Sequence, residues 1–137
     1  MKTTTTWLHN MAFDSELEGY TIHIDGGRDD NDKRLGFGPK ALLLSSLAGC
    51  SGIDVVEMLK KMKVSFSKMQ ISTEAETVDT DPKVFKDITI VYATDVQPED
   101  EAKLKRAIEL SLDKYCGVAA MLKKNSAIHY RVELINS

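Results

Sequence analysis

Cys50 and Cys116 are the residues of this 137-residue chain best suited to chemistry. A thiolate is a nucleophile, and two thiols can close into a disulfide and reopen. The two stand 66 positions apart in similar settings. Cys50 lies in Leu47-Ala48-Gly49-Cys50-Ser51-Gly52, where bulk has been removed around it, and Cys116 is followed by Gly117. The plain reading of each is a buried structural thiol, because free cysteine is among the most buried residue types. The pairing of settings suggests a redox couple. Arg28 and Arg34 sit in the polar loop 28–38 just upstream of Cys50. Taken alone they read as a solvated cluster balanced by Asp29, Asp30 and Asp32. A free cysteine titrates near about 8.5 and burial disfavours its anion, so a reactive Cys50 needs a cation beside it. Asp54 and Glu57, one and two turns further along, would oppose that charge.

These residues need elements to hold them. Residues 39–62 predict a helix that is apolar on every side and free of charge from Ala41 to Ile53. Pro39 suits its first position, and Lys60, Lys61 and Lys63 suit its C-terminus. All-round apolarity predicts a buried central helix. The stretch is too short and too rich in serine for a membrane span. Ser45, Ser46, Ala48, Gly49, Ser51 and Gly52 allow another backbone to come close.

Before the helix, residues 3–13 read as one strand and Tyr20 to Ile24 as a second, closed by Asp25-Gly26-Gly27. His9 and His23 fall on these strands and read as solvated. After the helix, an extended segment reaching Val78 and a strand from Phe85 to Thr94 form a hairpin around Thr80-Asp81-Pro82-Lys83. Pro98-Glu99-Asp100-Glu101 starts a helix whose stripe Leu104, Ala107, Ile108, Ser111, Leu112 and Tyr115 faces the core. Cys116-Gly117 breaks it, a short helix follows from Val118 to Lys124, and Ala127 to Ile135 is a final strand. The order β–β–α–β–β–α–α–β predicts an α+β fold, with antiparallel sheets around the central helix in a single domain, residues 1–137.

Composition narrows the function. The chain is 42% apolar and 28% charged with a net charge of −3, which suits a globular protein and offers no basic stripe for nucleic acid. The N-terminus has no apolar signal core, and two cysteines without a signal fit a reducing cytoplasm. His9, His23 and His129 are scattered, and no spacing supports a zinc site.

The segments Gly38-Pro39-Lys40-Ala41-Leu42-Leu43-Leu44 through Gly52, and Lys114-Tyr115-Cys116-Gly117-Val118-Ala119-Ala120-Met121-Leu122, resemble the OsmC/Ohr family of osmotically inducible and organic hydroperoxide resistance proteins. The resemblance spans residues 18–135 and is nearest to the OsmC-like branch. It implies an intertwined homodimer with the central helices packed inside. It also implies a peroxidatic Cys50, a resolving Cys116, and an arginine from the preceding loop over the thiol, which is Arg28 or Arg34 here. The substrates it implies are an organic hydroperoxide and a thiol reductant, with no cofactor. Its apolar pocket would use leucines and methionines of the central helix, with Phe37 as a wall. Family peroxidases carry a glutamate directly after the helix-entry proline, where this chain has Lys40 and then Ala41. That departure implies slow turnover, with Asp54 or Glu57 left to orient the arginine. The alternative function is a non-peroxidatic binding protein for an apolar small molecule or a reactive sulfur species.

Overall fold

A computed structural model of the chain describes residues 1–27 and 34–136. The chain falls into two compact units, Met1–Leu43 and Leu44–Ser137.

The N-terminal unit is an antiparallel meander of β1 (Thr4–His9), β2 (Ala12–Leu17) and β3 (Tyr20–Asp25). What the sequence suggests as one strand over 3–13 is therefore two. The chain reverses at Asn10, whose φ of 47° is tolerated because a short amide side chain suits the left-handed region. The next reversal uses Glu18 and Gly19 at φ 51° and 87°, the positive pair that a two-residue hairpin of type I′ requires. Beyond β3, the Asp25 carboxylate accepts the N–H groups of Leu35 and Gly27, each at 3.0 Å. Those bonds hold its carboxyl below the usual range. Phe37 then bridges alongside β3: the Asp25 N–H reaches the Phe37 carbonyl at 2.9 Å, and the Phe37 N–H reaches the His23 carbonyl at 3.0 Å. A Cβ on Gly36 would lie 2.2 Å from the His23 carbonyl oxygen, so only glycine lets the backbones approach this closely.

The helix α1 (Pro39–Lys61) starts in the N-terminal unit and continues through the C-terminal one. It opens on proline and carries Lys60 and Lys61 in its last turn, as the sequence predicts. It ends in a Schellman motif, with the Val64 N–H on the Leu59 carbonyl and the Lys63 N–H on the Lys60 carbonyl. Lys63, at φ 59°, stands where glycine is usual. By length and composition α1 could cross a bilayer. Here its inner stripe, Leu47, Ser51, Val55 and Leu59, is fully sealed in the core with Ile88, Ile90 and Tyr92. Burial is confined to that stripe, because one sheet covers one face of a helix, and Ile53 on another face is 70% exposed.

The rest of the C-terminal unit is β4 (Met69–Thr77), β5 (Phe85–Thr94), α2 (Glu101–Leu110), a π-turn (Ser111–Tyr115), α3 (Gly117–Lys123) and β6 (Ala127–Leu134). The sheet order is β4-β5-β6. The β4–β5 hairpin is antiparallel. The all-antiparallel expectation is corrected at β6, which runs parallel to β5 from Asp87↔Ala127 to Thr94↔Leu134. A parallel partner requires a crossover, and α2 and α3 supply it. Central β5 carries the buried run Ile88, Ile90, Val91, Tyr92 and Thr94, the pattern of a strand covered on both faces.

Candidate functional site

The C-terminal unit brings the two cysteines together. Cys50 is half-buried on α1, Cys116 is buried, and both are free. The Cys116 thiol lies close enough to the Cys50 side chain for the two to interact. Cys116 is placed by the π-turn, where its N–H bonds to the Ser111 carbonyl five residues back at 2.7 Å. Its extended backbone then caps α3, and its sulfur accepts the Ala119 N–H at 3.3 Å. Burial first, and the contact with Cys50 second, push the Cys116 thiol up to about 11. At neutral pH it is therefore an S–H donor. The extra residue of the π-turn also rotates Tyr115 off the core stripe on which the sequence places it, leaving it 56% exposed.

Behind the thiols runs a buried chain of hydroxyls. The Tyr92 and Ser51 oxygens are 2.5 Å apart, Ser51 and Ser111 are 3.0 Å apart, and Ser111 lies 2.9 Å from Asp54 Oδ2. Tyr92, Ser51 and Ser111 are fully buried, while Asp54 is half-buried and lines an open groove of about 580 Å³ with Glu57, Met58, Met62 and Tyr115. A carboxylate only accepts, so the Ser111 hydroxyl donates to Asp54; it also faces Ser51 as a donor, and either partner can donate in the Ser51–Tyr92 bond. Burial raises the Tyr92 phenol to about 12, which keeps it a donor. The sequence marks Ser51 only as small, Ser111 as part of a stripe and Tyr92 as a strand residue. Their partners lie 41 and 60 positions apart, beyond any local signal.

The charged candidates fare differently. Arg28 lies outside the described residues. Arg34 is exposed in the N-terminal unit, where its charge helps hold the Asp25 carboxyl low. Lys40 occupies the first turn of α1. Asp54 is engaged by Ser111, and Glu57 pairs with Lys61 at 3.1 Å in solvent. Phe37 is 50% exposed in the N-terminal unit. Among the described residues no group of three or more His, Cys, Asp or Glu side chains is arranged to hold a metal ion.

Residues 27–131 match the OsmC family, described as OsmC-like protein. The chain belongs to the OsmC family. Among curated relatives it is 29% identical to Protein YhfA of Escherichia coli over 136 residues, 98% of each chain. An OsmC-like protein from Mycoplasma pneumoniae superposes with a TM-score of 0.83 at 19% identity, covering 98% of this chain and 96% of that one. The organic hydroperoxide resistance protein OhrB of Bacillus subtilis superposes at 0.70 with 13% identity, covering 97% and 98%. At such identities the two structures share the fold. Cys50 and Cys116 both lie within the span that matches the family.

Proposed function

We propose that this OsmC-family chain is a thiol-dependent redox protein that reduces organic hydroperoxides through Cys50 and Cys116. The observation that carries the reading is that the two thiols, 66 positions apart, are brought within interaction distance of each other. The Cys50 thiolate attacks the distal peroxide oxygen. With one proton taken up, it becomes a sulfenic acid and the hydroperoxide leaves as an alcohol. Cys116 attacks the sulfenic sulfur, the S–O bond breaks, and its thiol proton leaves with hydroxide as water. Two equivalents of a thiol reductant restore both cysteines and are oxidised to their own disulfide. An arginine of the 28–38 loop, Arg28 or Arg34, opposes the thiolate charge. With Lys40 in place of a glutamate, its orientation is weaker and turnover is slow.

The protein works as a homodimer, in the cytoplasm, with residues 1–137 as one domain. The uncovered face of α1, whose open groove is lined by Ala48, Gly49, Gly52, Ile53, Val56, Met69 and Ile71, supports a second copy as its cover. Mass spectrometry after stoichiometric cumene hydroperoxide tests the chemistry. Cys116→Ser should accumulate a sulfenic acid at Cys50, and Cys50→Ser should keep Cys116 reduced. Wild-type protein that retains both thiols in excess hydroperoxide would sink the redox reading in favour of a binding role.

A further inference from the structure

We propose that Ser111 is a positioning residue that sets the register of the two cysteine sulfurs. This rests on the reading of Cys50 and Cys116 as a redox pair. Two different groups of the one residue reach the two cysteine-bearing segments. Its carbonyl accepts the Cys116 N–H at 2.7 Å, in the π-turn bond that fixes where Cys116 leaves the helix. Its hydroxyl meets Ser51, which follows Cys50, at 3.0 Å and Asp54, one turn further along α1, at 2.9 Å. Sliding or rotating α1 against the π-turn would therefore strain the hydroxyl's bonds as it moved the sulfurs.

The burial pattern makes the contact exacting. Ser111, Ser51 and Tyr92 are all fully sealed, so no solvent can replace a lost partner, and an unmet buried hydroxyl is costly. Asp54 anchors the chain of hydroxyls at its half-buried end. As an acceptor there, it shares the Ser111 hydroxyl with Ser51, whose oxygen is in turn bonded to Tyr92. Those bonds hold the Cys50 turn of α1 at one height against Cys116.

A residue that only supported the fold would stabilise the reduced and oxidised proteins equally. A residue that sets sulfur register changes the difference between them, which is the thiol–disulfide equilibrium. The test equilibrates the full-length chain with glutathione buffers of graded redox ratio and quantifies the Cys50–Cys116 disulfide by alkylation and mass spectrometry. Ser111→Ala should lower the equilibrium constant for disulfide formation about tenfold, the scale on which small misplacements act. Asp54→Ala should lower it by a smaller factor. Asp54→Asn, which keeps an acceptor oxygen, should stay within about twofold of wild type. Asp54→Ala, altered at the half-buried end, carries the test if Ser111→Ala fails to fold. A wild-type equilibrium in both alanine variants, or no disulfide in the wild-type protein, overturns the proposal. Because glutathione replaces hydroperoxide, a protein that forms the disulfide yet ignores hydroperoxide would defeat the peroxidase reading and leave this one standing.

Discussion

The two sheets of the molecule are built on opposite terms. In β1–β2–β3 only Ala12 and Asp25 are buried, and Trp7, Met11, Tyr20 and Ile22 are at least half exposed. That sheet is held by main-chain ladders, two left-handed turns and the Asp25 clasp. In β4–β5–β6 the central strand is packed from both sides, and Tyr92 and Ile90 are fully sealed beneath α1. A sheet of the first kind leaves its side chains free to meet something else. A sheet of the second kind spends them on holding its own unit together, and only such a unit can keep two thiols and three hydroxyls in fixed register.

The largest expected effect lies in the packed unit. Leu59→Ala, at a fully buried stripe position, should cost about 2–5 kcal/mol in urea unfolding, the range for a buried leucine cut to alanine. A cost below about 1 kcal/mol would mean that side-chain burial does not distinguish the two units. An intermediate effect is set by acid. Asp95 accepts the Ser67 and Lys68 N–H groups at 2.8 and 2.9 Å and the Ser67 hydroxyl at 2.5 Å, which tie the end of β5 to the approach to β4. Those bonds, the Ser67 hydroxyl first, lower its carboxyl from an ordinary 3.8 to about 2. A depressed carboxyl stabilises the fold above its unfolded pKa, so the contribution is complete above about pH 4 and fades toward about pH 2. Asp95→Asn should flatten that acid limb in melting curves taken from pH 2 to 6. Parallel curves for variant and wild type would remove the clasp from the account.

The smallest effect on the fold belongs to the open sheet. Trp7→Ser, at a side chain 61% exposed, should change the stability of the single chain by no more than about 0.5 kcal/mol. It should instead weaken self-association in sedimentation velocity at micromolar protein. Unchanged association would show that a second copy does not rest on Trp7.

How much of this was legible in the sequence follows the range of the signals. α1 was plain, because proline, the charge-free run and the terminal lysines are local and agree. The β4–β5 hairpin was plain for the same reason. The turn at Asn10 was hidden because neither glycine nor proline marks it, and threonines and a tryptophan before it read on as strand. Tyr115 was misplaced because a π-turn changes the helical count without changing residue types. The thiol pair was visible as chemistry and as resemblance. The Tyr92–Ser51–Ser111–Asp54 chain was not, because polar contacts between distant segments leave no periodicity.

The parallel β5–β6 ladder also bears on how the chain assembles. The β4–β5 pairs range from Thr77↔Phe85, near the turn, to Met69↔Thr94, so that hairpin can zip outward from a short loop, each pair shortening the search for the next. Every β5–β6 pair spans the same forty positions, from Asp87↔Ala127 to Thr94↔Leu134. No pair in it is local, and the ladder must wait until the intervening chain has been gathered, with the entropy of a long loop lost before the first bond forms. Loop entropy therefore favours forming the hairpin before the seam that brings Ala127–Leu134 home.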